Sequence, residues 1–108
     1  MKGLNKVSLI GHLGKDPDVR MVGEGMRVSH VSLATTEQYR DKSGAVKTQT
    51  DWHALVLWSK LSEIAEKHLH KGNLVYVEGK LKTRHYEDKA GSRRYVSEVI
   101  VEQLLILK

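Results

Sequence analysis

Cysteine and phenylalanine are absent from this chain, and proline occurs once, at Pro17. Without cysteine there is neither a disulfide framework nor a thiolate metal site, and such a chain suits a reducing compartment. One proline and scattered glycines leave no linker, low-complexity tract or internal repeat. No apolar run is long enough to cross a bilayer. The opening Met1-Lys2-Gly3-Leu4-Asn5-Lys6 lacks the apolar core of a signal peptide, so the expected location is the cytoplasm. The 108 residues suffice for one domain with a core, spanning 1–108, and are too few for two.

Motifs for catalysis and cofactors are missing as well. No G-x-S-x-G occurs, and Gly23-Glu24-Gly25 lacks the Lys-Ser/Thr of a phosphate loop, which leaves it a turn. His68 and His70 point in different directions on a helix, while Glu66 and His70 have the spacing of an i,i+4 polar pair. Asp51 and His53 lie within reach of one another on a strand but have no accompanying nucleophile or oxyanion donors. The chain is expected to be no enzyme and to carry no metal and no cofactor.

What is present is positive charge and alternating pattern. Net charge is +5, and the stretch Lys80–Arg94 holds six cations against two anions, so four of the five net charges lie there. A run of charge is by itself compatible with a solvated face; neighbouring aromatics decide otherwise. The pattern predicts strands over 4–13, 26–36, 46–58, 74–86 and 93–107, with 18–22 as a short extension. Gly11 marks a bend or close backbone approach. The phase shift between Val28 and Val31/Leu33 predicts a bulge. Leu61, Ile64, Ala65 and Leu69 share one helical face, with Ser59 as N-cap, Gly72 as stop and Glu63–Lys67 as an i,i+4 pair. Three strands, a helix and two strands, paired antiparallel, are the order of a five-stranded OB-fold Greek-key barrel with its helix between strands three and four.

Period-two alternation sorts the fourth strand. Val75, Val77 and Leu81 form its core face. Tyr76, Glu78, Lys80, Lys82, Arg84 and Tyr86 form the other, a row of cations ending in a ring. Lysines alone would serve to guard an edge against aggregation, a task that needs no Tyr86. Trp52 and Trp58 are six apart and share a face, while Leu55 and Leu57 supply the opposite, core face. Tryptophans commonly fill a barrel, but here that place is already taken. Tyr39 precedes Arg40 and Lys42 on the polar connection 40–44. Rings interleaved with cations suit single-stranded nucleic acid, whose bases stack on the rings while phosphates meet the cations.

With these residues assembled, the chain resembles the bacterial single-stranded DNA-binding protein family of the SSB type over nearly its whole length. The resemblance rests on Asn5-Lys6-Val7, Gly11-His12-Leu13-Gly14-Lys15-Asp16-Pro17, Leu33-Ala34-Thr35 and Thr50-Asp51-Trp52-His53. It continues through Val75-Tyr76-Val77-Glu78-Gly79, Leu81-Lys82-Thr83-Arg84 and Arg94-Tyr95. It implies base stacking on Tyr39, Trp52, Trp58 and Tyr86, with tyrosine at positions often held by larger or more apolar rings. It implies phosphate contacts from Lys42, Lys47, Lys60, Lys71, Lys82 and Arg84, and subunit contacts from Lys6, His53, Tyr76 and Glu78 in a homotetramer. A replication, recombination and repair role follows from the same resemblance. The family's acidic-tipped tail has no counterpart in the ending Leu104-Leu105-Ile106-Leu107-Lys108, so tail-mediated recruitment of partners is in doubt. Two other readings fit the same residues: a primosome-like OB-fold accessory protein acting through protein contacts, and an RNA-binding OB domain.

Overall fold

The computed structural model describes residues 2–108. Six strands and one helix follow in order: β1 (Val7–Leu13), β2 (Asp18–Val22), β3 (Met26–Arg40), β4 (Val46–Trp58), α1 (Lys60–His68), β5 (Leu74–Glu87) and β6 (Arg93–Ile106). The sheet order is β1-β5-β6-β4-β3-β2, and a further β1–β3 pairing closes β1, β5, β6, β4 and β3 into a barrel of five strands. β1 is shared between two neighbours. Val7–His12 pair with β5, and His12 and Leu13 pair with β3.

Small residues make this closure possible. A β-carbon on Gly11 would lie 2.2 Å from the Ala34 carbonyl oxygen, and one on Gly79 would lie 2.1 Å from that of Ile100. Backbone thus occupies the space a side chain would need, as the close approach read from Gly11 requires.

The inward-facing residues alternate with outward ones. Leu13, Val31, Leu33, Leu55, Leu57, Val75, Val77, Val99 and Val101 fill the barrel, and Ala65 and Leu69 of α1 join the same core. The helix is fixed there by a buried hydroxyl pair, Ser62 Oγ with Ser29 Oγ at 2.5 Å, so neither buried hydroxyl is left unsatisfied. Glu63 and Lys67 form their i,i+4 pair at 3.5 Å.

Several sequence expectations are corrected. Residues 18–22 form a strand of their own, paired with β3 alone outside the closed barrel. Pairing is not purely antiparallel. β4 and β6 run parallel through Leu55–Val99 and Val56–Ile100, because α1 and β5 lie between them in the chain and supply the crossover that parallel neighbours need. The β3–β4 register is unbroken from Val28 to Arg40. Val28 breaks the inward phase because it is buried on the outer face, between Arg20 and Trp58 in register. The irregularity falls instead at Glu78/Gly79 between β5 and β6.

Ser59 does not cap α1 with its side chain. Its φ is 53°, its N–H donates to the Arg27 carbonyl, and its hydroxyl lies toward Met26 Sδ. The helix ends at His68, and Gly72, at φ 91°, shapes the following turn. Glu66 pairs with Arg27 rather than with His70. His53 bonds to Thr35, leaving Asp51 to accept from Gln49. Leu81 keeps its inward phase but is 47% exposed, since β5 is there leaving the barrel.

Two ribbons leave the barrel. Residues 36–40 with 46–50, and 82–87 with 93–95, are exposed along their length. The radius of gyration is 16.1 Å, against about 13 Å for a compact chain of this size.

Candidate nucleic-acid interface

The strand registers assemble the candidate site. Val56 pairs with Ile100, and Ile100 with Lys80, so these three form one row across β4, β6 and β5. The row faces outward. Trp52 and Trp58 share its phase on β4, while Lys82, Arg84 and Tyr86 share it on β5. The two indoles are 62% and 41% exposed and Tyr86 is 47% exposed. Two flat rings, three cations and a terminal tyrosine therefore lie along a single open sheet face.

Trp52 is held in place by the absence of side chains beneath it. Its register row is His12, Ala34 and Trp52 across β1, β3 and β4, and its six-membered ring reaches Gly14, where a β-carbon would lie 2.4 Å from Cζ3. Lys71 is brought to the same corner. Its N–H donates to Asp16 Oδ1 at 2.8 Å, and the Gly72 N–H donates to the Leu13 carbonyl. Gly14→Val is expected to lift the indole from this seat, red-shift tryptophan emission and weaken oligonucleotide binding, with barrel melting little changed. Unaltered emission and binding would show that the ring does not depend on Gly14.

Charge pairing divides the cations. Arg84 Nε donates to Glu98 Oε1 at 2.9 Å, and Glu98 is buried; this bond, with the carboxylate charge, raises the arginine above its ordinary pKa. Lys80 lies 3.7 Å from Glu102 and Lys47 lies 4.0 Å from Asp41. Lys42, Lys60, Lys71 and Lys82 have no acidic partner within 4.0 Å among the described residues. An anion meeting any of these four would displace no ion pair.

Tyr39 and Lys47 are not on the tryptophan face. They pair directly with each other at the far end of the β3–β4 ribbon, in the opposite phase to Trp52. Tyr39 lies in β3, not in a loop, beside a recess of about 270 Å³ lined by Gln38, Tyr39, Arg40 and Val46. Rings thus stand on both sides of this ribbon.

The four predicted subunit-contact residues do not all meet. Lys6 Nζ lies 3.2 Å from Glu78 Oε1, and the Tyr76 hydroxyl donates to the same oxygen at 2.9 Å. The tyrosine hydroxyl first, and Lys6 after it, hold Glu78 below its usual carboxylate pKa. This cluster borders an outward apolar row, Ile10–Tyr76–Leu105, whose aliphatic ends are 56% and 57% exposed. His53 stands apart on the β3–β4 ribbon. Two further aromatic residues, to which the sequence reading gave no site role, meet in the structure. His85 and Tyr95 stack edge to face at 4.5 Å on the reverse side of the β5–β6 ribbon; their direct cross-strand pairing is invisible until register is known.

A five-stranded barrel with one capping helix and an open face of rings and cations defines an OB-fold protein of the oligonucleotide-binding class. Residues 4–107 match the model of the single-strand binding protein family, and the chain belongs to that family. Solved structures similar to it include the Plasmodium falciparum SSB in complex with ssDNA, 35% identical with a TM-score of 0.92, covering 100% of this chain and 98% of that one. Another is a deletion mutant of the single-stranded DNA binding protein from Thermus aquaticus, 31% identical with a TM-score of 0.85. That match covers 98% of this chain and 51% of the other. No helix among the described residues is long and apolar enough to cross a membrane.

Proposed function

We infer that the chain binds single-stranded DNA with little sequence preference and without catalysis, by stacking bases on exposed rings and drawing phosphates to unpaired lysines. The observation that carries this reading is the shared face of Trp52, Trp58, Lys80, Lys82, Arg84 and Tyr86, in a member of the single-strand binding family. Every base has a π-face, so stacking tolerates any sequence; a duplex hides those faces and is disfavoured. Trp52, Trp58 and Tyr86 stack bases along the face, and Tyr39 extends the track to the other side of its ribbon. Lys42, Lys60, Lys71 and Lys82 neutralise phosphates, with Arg84 and Lys47 held ready by their carboxylates. Protection of exposed strands during replication, recombination and repair is the role this activity serves.

Assembly into a homotetramer is part of the same reading. The Ile10–Tyr76–Leu105 row, flanked by the Lys6–Glu78 pair, supports a subunit contact on the outer surface of β1, β5 and β6. Light scattering reads the assembly directly.

Titration with oligo-dT is expected to quench the fluorescence of both indoles. The logarithm of affinity should fall with the logarithm of salt at about −0.7 per phosphate contact, or a slope of about −3 for the four unpaired lysines of one protomer. Absence of quenching and binding at low salt would refute the reading. Tighter binding of a matched RNA oligomer would redirect it to RNA.

A further inference from the structure

The two ribbon tips are copies of one device. Residues 39–47 read Tyr-Arg-Asp-Lys-Ser-Gly-Ala-Val-Lys and residues 86–94 read Tyr-Glu-Asp-Lys-Ala-Gly-Ser-Arg-Arg. Both fit Y-x-D-K-x-G-x-x-K/R. The correspondence extends to the backbone bonds of the turn and the two backbone N–H groups held by the aspartate, while the Ser43 hydroxyl bond to Asp41 Oδ1 and the Arg40 bond to the Gly44 carbonyl belong to the first tip alone. At the first tip the Asp41 N–H donates to the Ala45 carbonyl, Gly44 N–H to the Asp41 carbonyl, and Asp41 Oδ1 accepts from the Ser43 and Ala45 N–H groups at 2.9 and 3.0 Å. At the second, the Asp88 N–H donates to the Ser92 carbonyl, Gly91 N–H to the Asp88 carbonyl, and Asp88 Oδ1 accepts from the Ala90 and Ser92 N–H groups at 3.0 and 2.9 Å. Gly44 and Gly91 have φ of 86° and 82°. Each aspartate also turns its other oxygen to a cation six residues on, Lys47 at 4.0 Å and Arg94 at 2.8 Å. That cation is the direct cross-strand partner of the tyrosine, Tyr39 with Lys47 and Tyr86 with Arg94.

We propose that Asp41 and Asp88 are twin positioning residues, each locking a tip that sets one tyrosine ring beside one cation as a unit for gripping one nucleotide. The proposal rests on the single-stranded DNA reading and adds what that reading lacks, the reason two acidic residues sit at the ends of a surface meant for a polyanion. Both tips also carry a lysine directly after the aspartate, Lys42 and Lys89. Each tip thus presents a ring, a tethered cation and an untethered one in the same relative order. Hydrogen bonds hold both carboxylates below the usual aspartate pKa, from Ser43 foremost at Asp41 and from Arg94 foremost at Asp88.

The sign of the effect separates this role from a bystander charge. Removing an acidic group from a phosphate-binding surface should strengthen binding by simple electrostatics. Loss of the lock should weaken it. Asp41→Ala and Asp88→Ala, each titrated with oligo-dT, are expected to bind about fivefold more weakly or worse, as when part of one stacking contact is lost. Asp41→Asn and Asp88→Asn keep an oxygen that accepts both backbone N–H groups, so the turn stays locked, while the tethered cation is freed for phosphate; they are expected to bind as tightly as the native chain or more tightly. Alanine variants that bind as well as or better than native protein would overturn the proposal, as would asparagine variants as weak as the alanine ones. Should the alanine variants fail to fold, a chimera with the sequence of 86–94 in place of 39–47 decides the matter: native affinity supports equivalent tips, and a tenfold loss refutes them. If the native chain itself does not bind oligo-dT, the nucleic-acid reading falls and the positioning role with it.

Discussion

Trp52→Ala is expected to lower affinity for oligo-dT by roughly 5- to 150-fold, the range that corresponds to about 1–3 kcal/mol for one stacked base. Folding should survive. The indole is 62% exposed and rests on Ala34 and Gly14, outside the group of side chains that fills the barrel. Its removal strips apolar area from a surface, not from the core, and leaves no cavity for the core to collapse into. Urea denaturation and oligonucleotide titration on the same preparation separate the two effects. A variant that unfolds, or one that binds as the native chain does, would contradict the assignment of this ring to the binding face.

The second large effect is on stability. Gly79→Ala places a β-carbon 2.1 Å from the Ile100 carbonyl oxygen, 2.8 Å from its carbon and 3.0 Å from the Val101 Cα. All three atoms are backbone, so no rotamer change relieves the clash. β5 and β6 must separate at the Glu78/Gly79 irregularity, beside the inward-facing Val77 and Val101. We expect a loss of about 3 kcal/mol or more, at the upper end of what one added methyl group costs in a packed interior. Measured by the urea midpoint, a stability equal to that of the native chain would show that the strands part without cost. The contrast with Gly14 is physical. There the obstacle is the rim of a side chain, which moves; at Gly79 it is the neighbouring strand.

Much of the candidate site was legible in the residues. Trp52 and Trp58 share a face because they are an even number apart on a strand with unbroken register, and Leu55 and Leu57 announced the opposite, buried face. The same counting placed Lys80, Lys82, Arg84 and Tyr86 together. Counting failed where burial has a second source or a strand ends its contact with the core. Val28 is covered on the outer face, and Leu81 points inward at a level where the barrel has already opened. The tip repeat was present in the sequence, yet nine residues with few identities look like chance until the same hydrogen bonds appear twice.

Alternation, turn residues and the placement of charge determined by themselves that this chain forms a small strand-built barrel with rings and cations on its exposed side. They act within a few residues, and local sterics decide them. Closure of the barrel, the parallel contact of β4 with β6 and the separation of Tyr39 from Trp52 onto opposite sides of one ribbon were decided only by tertiary structure. So was the choice of which cations are claimed by Glu98, Glu102 and Asp41 and which stand unpaired among the described residues. These outcomes depend on which strands become neighbours and in what register, and that is settled by packing between segments far apart in the chain.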